Sequence, residues 1–159
     1  MPDKWTFRIR PIAELVARYK KGLWADPFCG ESKLAEYRND LDPNNKSAQT
    51  HLEADIFMAL CRDNVLDGVF FDPPYSLTQV SGAYNNIGIK FKGKENPTGG
   101  FPGVRDLIAK KLSPGGLCLS CGWNTNGIGK TRGFEIVEIL IVAHGGNRND
   151  TLCLVERKL

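Results

Sequence analysis

The residues best suited to chemistry in this chain are consecutive: Asp72, Pro73, Pro74 and Tyr75. They follow residues 68–71, an apolar run typical of the end of a buried strand, and open α/β sheets bind ligands at that end. Two prolines stiffen the turn and leave its carbonyls free to accept hydrogen bonds. A carboxylate, a fixed carbonyl and a flat ring suit a planar group with an exocyclic amine, such as a nucleobase. The alternative is an ordinary turn, because Asp and Pro are common turn residues.

Acidic residues also accompany three predicted strand ends upstream. Asp26 follows the apolar residues 23–25, Asp40 ends a strand predicted at residues 37–41, and Asp55 follows a short strand predicted at residues 50–52. A carboxylate at the end of a second strand suits a ribose diol, because it can accept two hydrogen bonds. Asp42 is the competing choice for that role, although its position before a proline is typical of a helix cap. Each acid alone is explained as a turn residue, but the series favours a nucleotide-like ligand.

Short strand and helix patterns alternate along most of the chain, which predicts an α/β fold with a mostly parallel, doubly wound sheet. Residues 76–102 lack periodicity and are predicted to form an irregular, substrate-facing segment. The last two strand patterns predict an antiparallel hairpin. Helices are predicted at residues 11–21, from 31 to about 36, from 42 onward, and at 56–61 and 103–112; later strands are predicted at 117–121, 134–142 and 151–155.

Composition sets the limits of this interpretation. The 159 residues, 42% of them hydrophobic, predict one domain over residues 1–159 with no separate target-recognition domain. A net charge of +3 permits a polyanionic partner without requiring one. No apolar run is long enough for a membrane span, and no signal peptide is evident, so we expect a cytoplasmic protein without a membrane partner. Five scattered cysteines argue against a disulfide framework, and a lone C-x-x-C within a predicted strand argues against a metal site.

Residues 72–75 resemble the catalytic D-P-P-Y motif of the amino-group DNA methyltransferases, the N6-adenine and N4-cytosine enzymes that use S-adenosylmethionine. Residues 26–30, with the sequence DPFCG, resemble that family's first cofactor motif, and residues 7–12 resemble the motif that precedes it. The order of these motifs resembles the gamma arrangement, and the short chain is similar to a small phage-type adenine methylase. The resemblance implies a Rossmann-like methyltransferase fold with a C-terminal antiparallel hairpin.

The resemblance also implies a cofactor site for S-adenosylmethionine. In it, Asp26 would bind the ammonium, Asp40 the ribose and Asp55 the adenine amine. Ile56 would offer its backbone N–H and Phe57 an apolar wall. The full implied set is Arg10, Pro11, Asp26, Pro27, Phe28, Gly30, Asp40, Asp55, Ile56, Phe57 and Asp72.

The implied reaction is methylation of an adenine amine in DNA, on a base that is flipped out or already unpaired. Asp72 and the Pro73 carbonyl would each accept an amino hydrogen, and Tyr75 would stack on the base. Further substrate contacts are expected from the segment after the motif, at Tyr84, Lys90, Lys92 and Lys94. A solvated basic loop is the alternative for these lysines.

Other functions stay open at this point. The same chemistry would serve RNA or the N4 amine of cytosine, and a separate recognition subunit would be compatible with either. A non-catalytic, methyltransferase-like nucleic-acid-binding subunit is disfavoured by the intact motif. Protein glutamine is disfavoured because the enzymes that methylate it usually have Asn where this chain has Asp72. A dehydrogenase would require G-x-G-x-x-G after the first strand, where only Gly30 is present.

Overall fold

A six-stranded sheet organises the computed structural model, which describes residues 6–88, 101–146 and 149–159. In chain order its strands are β1 (Trp24–Asp26), β2 (Tyr37–Arg38), β3 (Leu66–Phe71), β4 (Leu112–Gly122), β5 (Phe134–Val142) and β6 (Thr151–Lys158). Their spatial order is β2-β1-β3-β4-β6-β5. Strands β2, β1, β3 and β4 are parallel, and β6 pairs antiparallel with both β4 and β5. The predicted α/β sheet with a C-terminal antiparallel pair is confirmed.

Helices cover both faces of this sheet. They are α1 (Arg10–Tyr19), α2 (Ala54–Leu60), α3 (Leu77–Asn86) and α4 (Pro102–Lys111), with short 3-10 turns at Thr6–Arg8 and Lys130–Arg132. Successive strand residues point to opposite faces, so Val69 and Phe71 pack with α2 and α4, whereas Phe70 packs with α1. Three layers result, with the sheet in the middle.

The centre of the sheet depends on a close approach between β1 and β3. Trp24 pairs with Gly68, and the indole ring lies directly over that glycine. A Cβ at position 68 would lie 2.0 Å from the ring, so the packing requires glycine. This contact sets how β3 packs beside β1, and therefore where the 72–75 turn lies at the end of β3.

Two predicted helices are absent, and turns take their place. At residues 31–36 the chain forms no helix, and the Arg38 guanidinium binds the carbonyl of Ala35 at 2.7 Å. After residue 42 the side chains of Asp42 and Asn45 accept backbone N–H groups two residues ahead, at 2.9 and 2.8 Å. Such local bonds compete with the helical pattern.

The third predicted strand is also wrong, since residues 50–52 contribute one isolated bridge, between Asn39 and Thr50.

The prediction that residues 76–102 are irregular is wrong for α3, which begins after Ser76. The Ser76 hydroxyl accepts from the Gln79 N–H, and the Gln79 side chain accepts from the Tyr75 N–H at 2.6 Å. Ser followed three residues later by Gln is a capping signal that the sequence does contain.

Candidate active site

A cavity of about 1210 Å³ lies at the carboxyl ends of β1, β2 and β3. Its wall is formed by the loops after these strands, the first turn of α2, one side of α3 and the start of α4. The sequence-predicted residues that line it are Pro27, Phe28, Gly30, Asp40, Asp55, Ile56, Asp72, Pro74 and Tyr84. The fold thus brings together at one edge residues that are far apart in sequence.

The N-terminal part of the predicted site is displaced by a few residues. Arg10 points into solvent and forms an ion pair with Glu14 at 2.9 Å, and Pro11 lies in the exposed first turn of α1. Neither residue lines the cavity, so nothing in this geometry supports their predicted role, which stays a prediction. The preceding 3-10 turn lines it instead, through Thr6, Phe7 and Arg8. The displacement arises because α1 turns its apolar face to the sheet and leaves Arg10 on the outer face.

Phe57 is another predicted site residue that the fold places apart from the cavity. It is buried in the core formed by the sheet, α2 and α4, and it does not line the cavity. Asp55 and Ile56 precede it on the exposed side of α2 and do line the cavity. The difference follows from helical geometry, because successive residues are rotated by about 100° around the axis.

Asp26 is a fully buried carboxyl group at the end of β1. Its Oδ1 accepts from the Phe28 N–H at 3.1 Å, while Oδ2 makes no hydrogen bond within the described residues. Burial raises the pKa of Asp26 well above its usual range, and the charges of Asp72 and Asp40 add to that shift. Asp26 lies behind the cavity wall rather than in it. An unpaired buried carboxylate is costly, and a cationic group brought nearby would relieve that cost.

Asp40 connects the loops that follow β1 and β2. Its Oδ2 accepts from the Gly30 N–H at 3.0 Å, and its Oδ1 accepts from the Asp42 N–H at 2.9 Å. Asp40 lines the large cavity, whereas Asp42 faces a smaller adjacent depression. Of the two competing residues, Asp40 is the one that lines the large cavity, and its assignment to a ribose stays a prediction.

Asn39, which the sequence did not single out, holds this region together. Its buried amide nitrogen donates to the carbonyls of Pro27 and Leu52 at 3.2 and 2.9 Å. Its amide oxygen accepts from the Thr50 hydroxyl and the Leu52 N–H, both at 2.9 Å. One side chain thus replaces much of the pairing that a longer third strand would supply. Its signal in the sequence is weak, since an Asn beside a strand end is ordinary.

Asp72 and Tyr75 form a direct pair at the end of β3. The Tyr75 hydroxyl donates to Asp72 Oδ1, and the Thr6 hydroxyl also donates to this carboxylate. Burial raises the pKa of Asp72 to about 6, although both hydrogen bonds act in the opposite direction. Burial and the nearby charge of Asp72 raise the pKa of the Tyr75 phenol. Asp72 is thus a recessed acceptor whose protonation changes near neutral pH.

The ring of Tyr75 is not presented to the large cavity. It is half-buried, packs edge-on with Trp123 at a centroid distance of 5.6 Å, and does not line the cavity wall. Pro74 lines the wall, whereas Pro73 does not. A base stacked on Tyr75 would therefore have to approach from the Trp123 side.

The remaining substrate predictions divide between α3 and the segment after it. Tyr84 lines the cavity from α3, and its hydroxyl donates to Glu53 Oε2 at 2.7 Å. Lys90, Lys92 and Lys94 lie outside the described residues. Glu53 was not predicted as a site residue, although it lies two residues before Asp55, at the N-cap position of α2.

No protein-family model and no curated protein matches this sequence. Solved structures do match it. The 1,6-didemethyltoxoflavin-N1-methyltransferase of Burkholderia thailandensis, crystallised with 1,6-didemethyltoxoflavin and S-adenosylhomocysteine, aligns over 98% of this chain and 81% of its own, with TM-score 0.64 and 14% identity. The N-methyltransferase NodS of Bradyrhizobium japonicum aligns over 99% of both chains, with TM-score 0.56 and 12% identity.

TrmN of Thermus thermophilus aligns over 93% of this chain and 48% of its own, with TM-score 0.56 and 18% identity. At these identities the likeness concerns the fold. The chain has the Rossmann-like methyltransferase fold, with its antiparallel strand β6 inserted between β4 and β5. In the described part of the chain no helix is long and apolar enough to cross a bilayer. Nor do three His, Cys, Asp or Glu side chains cluster there as metal ligands would.

Proposed function

We propose that this chain is an S-adenosylmethionine-dependent methyltransferase that acts on an exocyclic amine, with N6 of adenine in DNA as the preferred acceptor. The observation that carries the proposal is the position of Asp72. A buried carboxylate, followed by two prolines and a tyrosine, ends a central strand and lines a large cavity at the carboxyl edge of a methyltransferase fold.

The electrostatics of the cavity support a cationic cofactor. The carboxylates in its wall outnumber the cationic side chains. The wall contains five carboxylate side chains, Glu31, Asp40, Glu53, Asp55 and Asp72, and two cationic ones, Arg8 and Lys33. Behind this wall the buried Asp26 carboxyl has an unpaired Oδ2 that would accept a hydrogen bond from an ammonium group. Such surroundings attract an ammonium and a sulfonium group and repel a pyrophosphate, so they favour this cofactor over a dinucleotide. The structure of the Burkholderia enzyme with S-adenosylhomocysteine agrees with this choice.

The size of the cavity supports two ligands side by side. Its volume of about 1210 Å³ exceeds the roughly 300–1,000 Å³ that is usual for one small-molecule site. The Asp26–Asp40–Asp55 end would hold the cofactor, and the Asp72 end would hold the acceptor. Two of the matched structures carry the name N-methyltransferase, which favours nitrogen as the acceptor atom.

The role of the protein in the reaction follows from the 72–75 turn. When bound, the cofactor supplies an electrophilic methyl group. An exocyclic amine is a weak nucleophile because its lone pair is delocalised into the ring. Asp72 and the Pro73 carbonyl would accept its two hydrogens and so concentrate electron density on nitrogen. Oriented acceptors and positioning would supply the catalysis, without a covalent enzyme intermediate.

RNA and the N4 amine of cytosine are the second candidates, because the same turn would serve either. A defined experiment separates them. The purified protein is incubated with methyl-labelled cofactor and single-stranded DNA, mismatched duplex DNA or RNA, and the digested nucleosides are identified. We expect N6-methyladenine from DNA, most from unpaired adenine. Label in RNA or on cytosine would replace the acceptor in our proposal, and absence of cofactor binding by calorimetry would refute the proposal as a whole.

A further inference from the structure

The loop that follows β4 brings an exposed tryptophan beside the 72–75 turn. β4 runs parallel to β3, and Phe71 pairs with Ser120, so the residues just after Gly122 lie level with the turn. Trp123 is the first of them. Its ring packs edge-on against Tyr75, whose hydroxyl binds Asp72. Trp123 does not line the large cavity, and it lies one side chain away from the Asp72 carboxylate that would accept the amine. The acceptor would therefore extend from the Asp72 end of the cavity over the turn to Trp123.

Tyr75 and Trp123 differ in how much of their ring surface is accessible to a ligand. Tyr75 is half-buried: its hydroxyl donates to Asp72, its N–H donates to Gln79, and one part of its ring packs against the core. Trp123 is 38% exposed and packs on Tyr75 from outside. A large aromatic ring left this exposed is suited to stacking on another planar ring. Of the two, Trp123 has the surface available for that contact.

The base of the loop is anchored, although its tip is exposed. Glu156, a buried residue of β6, accepts from the N–H groups of Ile128 and Gly129 at 2.6 and 3.0 Å. Ile128 is itself buried. Gly127 lies so close to Glu156 that a Cβ there would lie 2.2 Å from the carboxylate. The tip, residues 123–126, is exposed and has the sequence Trp-Asn-Thr-Asn. Its amide and hydroxyl groups can form hydrogen bonds with the edge of a heterocycle.

From this geometry we infer that Trp123 stacks on the acceptor heterocycle, that the 123–126 tip contacts its edge, and that Tyr75 serves to position Asp72. The inference rests on the proposed function, since it concerns the acceptor of the same reaction. It assigns the acceptor class as a planar heterocyclic amine. It also changes the role that the sequence resemblance implies for Tyr75, from stacking on the base to holding the carboxylate.

Kinetics with single-site variants test the inference. In Trp123→Ala we expect the KM for an adenine-containing single-stranded oligonucleotide to rise about tenfold to a hundredfold, which is the range for loss of one stacked base. Trp123→Phe keeps an aromatic face and should recover most of the affinity. Cofactor affinity, measured by calorimetry, should be unchanged in both. Tyr37→Ala is the matched control, because it removes another exposed aromatic ring that lies on β2, away from the turn.

Fluorescence supplies a readout that does not depend on turnover. Trp5 and Trp24 are present in both the wild type and Trp123→Phe, so any quenching that this substitution abolishes is assigned to Trp123. We expect the adenine oligonucleotide to quench wild-type protein more than the same oligonucleotide with an abasic site, and this difference to disappear in Trp123→Phe. An unchanged KM in an active Trp123→Ala enzyme would overturn the stacking role. So would quenching that is equal with and without the base. Base-dependent quenching without methyl transfer would leave the stacking role intact and refute the proposed function.

Discussion

The two halves of the site are built in different ways. The half that would hold the cofactor, residues 24–55, contains strands of three and two residues, and side chains such as Asn39 and Asp40 hold its loops. The half that would hold the acceptor, residues 66–75 and 112–129, rests on strands of six and eleven residues in the middle of the sheet. Backbone pairing therefore places the acceptor groups, whereas individual hydrogen bonds place the cofactor groups. Single substitutions should separate the two halves.

The largest effect is expected in the acceptor half, from Asp72→Ala. Because this carboxylate would act chiefly on the amine in the transition state, its loss should appear in kcat. We expect kcat to fall about a hundredfold to a thousandfold, as with removal of a principal electrostatic group. Cofactor affinity by calorimetry should change little. A mutant that retains substantial methyl transfer would show that Asp72 is not the amine acceptor.

In the cofactor half, Asn39→Ala should destabilise the fold. It removes four side-chain hydrogen bonds and leaves buried partners unsatisfied, so we expect a loss of about 2–4 kcal/mol in the free energy of unfolding. Urea titration measures this directly. The control is Asn44→Ala in the same loop, where the side chain is exposed and the change should be below about 0.5 kcal/mol. Equal losses in both variants would show that Asn39 does not hold the loops together.

Asp26→Asn should affect cofactor affinity and stability in opposite directions. The raised pKa of this carboxyl means that the folded state binds its proton more readily, so the ionised group lowers stability as pH rises above 3.8. Asn removes that charge, and the apo protein should be at least as stable as wild type at pH 7. Cofactor affinity should fall about tenfold to a hundredfold, because an ammonium loses its buried counter-charge. A variant that binds cofactor as wild type does would remove Asp26 from the site.

The smallest expected effect is on the pH dependence of kcat/KM. The pKa of Asp72 is raised to about 6, so kcat/KM should fall as pH decreases through about 6, where the carboxylate becomes protonated. The hydrogen bond from Tyr75 lowers this pKa, so Tyr75→Phe should move the acidic limb to higher pH. The expected displacement is below about one pH unit, as for one hydrogen bond. A limb that stays in place would mean that another group controls it.

The sequence predicted the acceptor half of the site better than the loops of the cofactor half. Two prolines and an apolar run fix the 72–75 turn locally, so Asp72 lies at the predicted strand end. Asp26, Asp40 and Asp55 also lie at the same sheet edge, although Asp26 is behind the cavity wall and two neighbouring helices and a strand are absent. The loops held by Asn39 and Arg38 depend on side-chain hydrogen bonds to neighbouring loops, which strand and helix periodicity does not encode. Trp123 was missed because it comes near Tyr75 only through the β3–β4 register.

The insertion of β6 between β4 and β5 has a consequence for the order of assembly. Of the six strands it is the last to be synthesised, yet it occupies an interior place in the sheet. Until it docks, β4 and β5 each present an open edge, and β5 carries exposed isoleucines that favour misassociation. Because Glu156 of β6 anchors the loop at Ile128 and Gly129, the 123–126 tip cannot be held before that strand is in place. A chain stalled before β6 would thus be aggregation-prone and also lack the surface that we assign to acceptor recognition.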